Sequence, residues 1–144
     1  MSYTRIWLHC VWGTKNRFPF IDDSNKKQIF KHIKENASIK GIYIDFINGH
    51  QDHVHCLLAL KSDMTITKTM QLLKGESSFW INKNNLCQSK FEWADEYFAV
   101  SISESQVSKV RAYIKNQEQH HRHSSWAEEY EKFMSAYGFD KING

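Results

Sequence analysis

His53 and His55 flank a single valine in Asp52-His53-Val54-His55-Cys56-Leu57-Leu58-Ala59-Leu60, an apolar run that reads as a buried strand. Alternate side chains of a strand share a face, roughly 6 to 7 Å apart. Both imidazoles therefore leave the sheet on one side, while Val54, Cys56, Leu58 and Leu60 enter the other. Two adjacent imidazole nitrogens suit one metal ion, and a pair of half-buried strand histidines satisfies the same pattern. Much later in the chain, Tyr113 and Gln117 stand four residues apart beside the stripe Val107, Val110 and Ile114, so they share one helical face. If that helix lies over the histidine side of the strand, two imidazoles, an amide oxygen and a phenol converge. Such a mixed nitrogen and oxygen set suits Mn²⁺ or Mg²⁺. No thiolate is placed to join it, which disfavours zinc.

The elements that must position these groups follow from periodicity. Residues 5–12 are apolar on both alternations and predict a central strand covered on both faces, with His9 beside Trp7 and Val11. Ile29, Phe30, Ile33 and Ala37 recur at helical spacing between Ser24 and Lys40, with Gly41 as the stop. Ile42 to Ile47 is a second strand, and Asn48-Gly49 is the strongest hairpin signal in the chain before the histidine strand. A helix capped by Asp63 or Thr65 runs through Ile66, Met70 and Leu73, with Gly75 expected to bend it before Ser77 to Ile81. Phe91-Glu92-Trp93 reads as a short strand and Tyr97 to Ile102 as a longer one. Ser103 and Gln106 offer a capping box for the Tyr113 helix, which runs to about His120, and a last short helix covers Trp126 to Tyr137. The order βαββαβ, with a helix added after it, predicts an α+β, ferredoxin-like split βαβ antiparallel sheet in a single domain, 1–144.

Composition narrows the class. The 144 residues are 41% hydrophobic, 14% aromatic and 24% charged, which is a folded chain rather than a disordered one. Cys10, Cys56 and Cys87 are too few and too scattered for a disulfide framework or a zinc knuckle. No apolar stretch is long enough to span a membrane, and the opening residues lack a leader pattern, so a cytoplasmic protein is expected. Residues 1–90 carry 13 Lys+Arg against 7 Asp+Glu, and residues 91–144 carry 6 against 9. A basic front with an acidic tail is compatible with a nucleic-acid partner.

His53-Val54-His55 resembles the HUH motif (histidine, hydrophobic, histidine), and Tyr113-x-x-x-Gln117 resembles the tyrosine helix of the single-tyrosine HUH transposases of single-stranded insertion sequences. The REP-associated tyrosine transposases are similar in both motifs. The likeness extends to Val11-Trp12-Gly13-Thr14-Lys15-Asn16-Arg17, Asp52, Tyr97-Phe98, Ser101 and the Tyr113 to His121 run, and spans roughly residues 3–137. It implies a transposase that binds hairpin-bearing single-stranded DNA ends and cleaves and rejoins them. Tyr113 is then the nucleophile that leaves a 5′-phosphotyrosine link and a free 3′-OH. His53, His55 and Gln117 hold Mg²⁺ or Mn²⁺ as a Lewis acid. The resemblance also implies a homodimer with composite active sites, Tyr113 serving its own chain or its partner.

A tyrosine hydroxyl with a pKa of about 10 needs a proton acceptor, which the residues do not identify. Lys15, Arg17, Lys74, Ser77 and Ser78 are candidate contacts to DNA phosphates. Trp12, Phe18 and Trp80 are candidate base-stacking groups, with core packing as the default for each. His50 is a candidate further ligand or hairpin residue, and His120, His121 and His123 read as a helix end. Glu128, Glu129 and Glu131 repel a DNA backbone and are assigned to packing or dimer contacts. A catalytically silent DNA-hairpin-binding protein that keeps the fold is a second reading and a small metal hydrolase using His50, His53 and His55 a third; the transposase is favoured, because the second needs no Tyr113 and Gln117 pairing and the third does not explain it.

Overall fold

The computed structural model describes residues 2–120 and 125–136. Trp7–Gly13 forms β1, Lys26–Ile39 α1, Tyr43–His50 β2, His53–Ala59 β3, Ile66–Lys83 α2 and Phe98–Ile102 β4. Val107–Lys115 (α3), Gln117–His120 (α4) and Trp126–Ala136 (α5) follow. The strands pair antiparallel in the order β2-β3-β1-β4. Because β1 and β2 both oppose β3, they run the same way, and α1 is the crossover of a split βαβ unit. This is the expected α+β, ferredoxin-like sheet. No described helix is long and apolar enough to cross a membrane.

Strand alternation divides the molecule into two layers. Leu8, Cys10 and Trp12 of β1 and Val54, Cys56 and Leu58 of β3 pack against Ile29, Phe30, Ile33 and Ala37 of α1 and Met70, Leu73 and Ile81 of α2. The opposite face carries Trp7, His9 and Val11 with His53, His55 and Leu57, all buried. It is covered by α3, whose Val107 and Ile114 close on Trp7 and Leu57. Polar contacts fix α3 in place: Arg111 forks onto Asp45 of β2 at 2.6 and 2.8 Å. Asn48 Nδ2 donates to the carbonyls of Ile114 and Lys115 at 3.0 and 3.2 Å.

Several local expectations are corrected. Asn48-Gly49 is not the turn; both residues lie inside β2, opposite His55 and Val54, and the chain reverses at Gln51-Asp52. The dipeptide serves other ends: Asn48 caps α3, and a Cβ on Gly49 would stand 2.2 Å from the His53 carbonyl oxygen. Glycine is needed there for close approach of two backbones. Phe91 to Trp93 is not a strand and makes a single bridge, Thr14 to Trp93. The Asn82 side chain takes both backbone groups of Phe91 (2.7 and 3.0 Å), holding Phe91 and Trp93 as buried aromatics.

Gly75 does not bend α2, which is continuous over Ile66–Lys83 and capped by Thr65 Oγ1 accepting from the Lys68 amide at 3.0 Å. The Ser103 and Gln106 capping box does not form, because Glu104–Gln106 is a 3-10 turn whose Glu104 is drawn to Arg5 and Trp7. The Tyr113 helix is not continuous to His120, since Asn116 leaves helical geometry between α3 and α4. His121, His123 and Tyr137 lie outside the described residues.

Gly49→Ala is expected to destabilise the hairpin by about 1 to 3 kcal/mol, because the clash is with backbone rather than with a movable side chain. Urea unfolding of the purified variant checks this, and stability equal to that of the parent would refute the close-approach argument.

Candidate active site

β3 supplies the two histidines and its neighbours orient their rings. The hairpin turn places Asp52 so that His53 Nδ1 donates to its Oδ1 at 2.9 Å, which turns Nε2 over the sheet. His55 Nδ1 lies 2.9 Å from His9 Nε2 of β1, so a bond there likewise turns His55 Nε2 outward. Burial pushes the His9 imidazole down to about 3, reinforced by His55 and opposed by Glu129, so His9 is neutral near pH 7. The contact of His9 with His55 keeps the second ring oriented.

The helices bring the other groups over this pair. Gln117 opens α4, after the break at Asn116, and its Oε1 lies 3.2 Å from His53 Nε2. Tyr113 on α3 sets its ring against His55 and His9, with centroids 5.6 and 6.2 Å apart. Both tyrosine and histidines belong to the same chain. The expected convergence of His53, His55, Tyr113 and Gln117 is therefore seen.

Glu129 of α5 completes the cluster, and sequence reasoning assigned it elsewhere. It is 4% exposed. Its Oε1 lies 3.1 Å from His55 Nε2 and its Oε2 3.5 Å from His53 Nε2. The Tyr113 hydroxyl donates a short hydrogen bond to the same carboxylate, and Gln117 Nε2 approaches it at 3.5 Å. The available signal was its position beside the helical spacing Trp126, Tyr130 and Phe133; the acidic run around it pointed to solvent instead.

This donor set fits a divalent cation. For metal bonds of about 2.1 Å, adjacent donors of an octahedron stand about 3.0 Å apart. The separations of His53 Nε2 from Gln117 and of His55 Nε2 from Glu129 are close to that edge. His53, His55 and Glu129 each present a ligand atom within 4.8 Å of the others. A cavity of about 330 Å³ beside them is lined by His9, Lys109, Val110, Tyr113, Glu129 and Lys132, so the phenol is reached past two cations.

The family profile described as "Transposase IS200 like" matches residues 2–117, from the first strand to the glutamine of the cluster. The chain belongs to the IS200-like transposase family. The HUH tyrosine transposase resemblance of the sequence is thereby borne out. Its fold matches that of a candidate transposase from Deinococcus radiodurans R1, at 23% identity and TM-score 0.65, over 81% of this chain and 93% of that one. It also matches a REP-associated tyrosine transposase bound to a REP hairpin, at 14% identity and TM-score 0.62, over 84% of this chain and 72% of that one. No curated protein matches the sequence.

In this IS200-like transposase the candidate DNA contacts divide. Lys15 and Arg17 are exposed on the loop after β1, Lys15 near Glu92 (3.3 Å) and Arg17 over the Tyr130 ring of α5. Lys74, by contrast, donates to the carbonyls of Ala94 and Asp95 at 2.7 and 2.9 Å. Burial lowers its ammonium from the ordinary lysine range, against the pull of Asp95 and Glu96. Ser77 is corrected: it is buried, donating to Leu73 and accepting from Trp93, so it is not presented to a DNA strand. Ser78 donates to Gly75 at the helix surface. Of the three aromatics named for stacking, Trp12 is core, Phe18 is exposed, and Trp80 stacks on His32. His50 pairs with His53 across the hairpin and stands outside the ligand cluster.

The depressed His9 sets a pH dependence. The unfolded imidazole binds a proton near 6.5 and the folded one near 3, so the unfolded state holds more protons between these values. The contribution is complete above pH 6.5 and is lost as pH falls toward 3. In the metal-free protein it amounts to about 2 to 3 kcal/mol between pH 7 and pH 4.5. Urea melts at the two pH values check this, with a smaller difference expected in His9→Asn.

Proposed function

We propose that this chain, as a single HUH transposase domain over 1–144, cleaves and rejoins hairpin-bearing single-stranded DNA ends, with Tyr113 as nucleophile. The observation that carries the reading is the meeting of the Tyr113 hydroxyl, His53, His55 and Gln117 in one buried cluster of one chain. The hairpin ligand comes from the similar REP-associated transposase, whose structure holds one.

In the forward step the Tyr113 Oη–P bond forms and the P–O3′ bond breaks, leaving a 5′-phosphotyrosine and a 3′ oxygen that takes a proton to become a hydroxyl. The phenolic proton leaves along its hydrogen bond to Glu129, the acceptor that the sequence did not identify. Rejoining reverses these bonds, and the covalent link conserves the energy of the phosphodiester. His53 and His55, with Gln117, are the residues to hold Mg²⁺ or Mn²⁺. Bound there, such a cation supplies Lewis-acid polarisation of the scissile phosphate. Asp52 and His9 keep the two rings aimed. Lys109 and Lys132 line the approach to the phenol, and Lys15 and Arg17 extend the positive surface toward the loop, where phosphate contacts position a strand without reading its bases.

Incubating the full chain with a hairpin-bearing single strand and Mn²⁺ should give a protein–DNA adduct that survives denaturation. Tyr113→Phe should abolish the adduct, and an undiminished adduct in that variant would sink the assignment. Hairpin binding without adduct under every metal would favour the silent DNA-binding reading instead.

The placement of Tyr113 beside the histidines of its own chain supports a site completed within one subunit, whether or not a homodimer forms. Mixing Tyr113→Phe with His53→Ala/His55→Ala protein should therefore leave both inactive. Recovery of adduct on mixing would show composite sites built across a dimer.

A further inference from the structure

We infer that Glu129 supplies an anionic ligand to the cation site, so that the metal and the tyrosine nucleophile are joined through one carboxylate. The inference rests on the reading that His53 and His55 hold a divalent cation. It adds a residue that lies twelve positions beyond the family match, which ends at Gln117.

Three observations carry it. First, the carboxylate is buried and faces both imidazoles of the pair. The Nε2 atoms that face it belong to the rings whose Nδ1 atoms meet Asp52 and His9. Two ring nitrogens, a carboxylate and the amide oxygen of Gln117 thus converge, all of them atom types that can ligate one divalent cation. Second, the distances suit ligation: Glu129 Oε1 to His55 Nε2 is 3.1 Å, Glu129 Oε2 to His53 Nε2 is 3.5 Å, and Gln117 Oε1 to His53 Nε2 is 3.2 Å. Third, a carboxylate has about four lone-pair sites, so Glu129 can ligate the cation and still accept the Tyr113 hydroxyl on Oε1. Two imidazoles alone bind hard cations weakly, because Mg²⁺ and Mn²⁺ prefer oxygen donors. An added carboxylate supplies both the oxygen and the opposing charge.

Mn²⁺ binding to the full-length chain, followed by the loss of the free-ion electron paramagnetic resonance signal at fixed pH, tests this without any DNA reaction. Glu129→Gln keeps the shape and removes the charge, and it should weaken binding ten-fold or more. Glu129→Asp keeps the charge on a shorter arm and should fall between the two. Circular dichroism confirms that each variant is folded; if Glu129→Gln is not, Glu129→Asp together with Glu129→His carries the test. Glu129→His should retain Zn²⁺ while losing Mg²⁺, a change in metal preference that a merely structural residue would not produce.

Wild-type affinity in Glu129→Gln, or an unchanged metal preference in Glu129→His, overturns the inference. If His53→Ala/His55→Ala loses binding at the same time, the histidine site stands and only the Glu129 role falls. If that double variant binds Mn²⁺ as the parent does, the histidine site itself is wrong and the inference falls with it.

Discussion

The side-chain amide of Asn48 donates to the carbonyls of Ile114 and Lys115, and that pair of bonds stops α3 just before Gln117. Carbonyls at a helix end need donors, and here the donor comes from the strand beside the histidine strand. The helix end is therefore held to the sheet rather than left to fray. Arg111, gripping Asp45, fixes the same helix nearer its start. Between these two anchors Tyr113 has little freedom to leave the histidine face. Gln117, starting a new short helix after Asn116, is turned inward instead of following the line of α3.

The second constraint is electrostatic. His9, His53, His55, Gln117 and Glu129 are all buried in one layer of the sheet, where a polar group must find a partner. The cluster meets this need by chaining its groups: Asp52 to His53, His9 to His55, Tyr113 to Glu129. Each link also removes one orientation from a ring or a carboxylate. The same bonds that make the polar layer tolerable inside the protein thus aim it.

Much of this was legible in the residues. Period-two alternation in β3 is a local pattern and survives because it follows from the geometry of one element. The order of strands was legible for the same reason. Tyr113 and Gln117, by contrast, reach the histidine face from two helices, across the break at Asn116. What failed depended on distant partners. Asn48-Gly49 carries a strong turn signal, yet its side chain and its missing Cβ are used by α3 and by the backbone of His53. Phe91 and Trp93 have strand composition, but Asn82 takes the hydrogen bonds that a neighbouring strand would have taken. Ser77 looked like a surface hydroxyl until Trp93 packed over it. Glu129 was the largest miss. The acidic run around it outweighed the helical spacing that marked its face, and the docking of α5 against the open face decides between them.

That docking sets an order of events in the making of the protein. The sheet is complete once β4 has been synthesised, and Tyr113 on α3 and Gln117 at the start of α4 follow soon after. Glu129 comes 27 residues after Ile102, the last residue of β4. At about 5 to 20 residues per second it arrives roughly 1 to 5 s later. Until then the histidine pair and the tyrosine are present without the carboxylate that links them. A chain cut short between the glutamine and α5 would keep every motif by which its family is recognised and would lack the group that ties its tyrosine to its histidines.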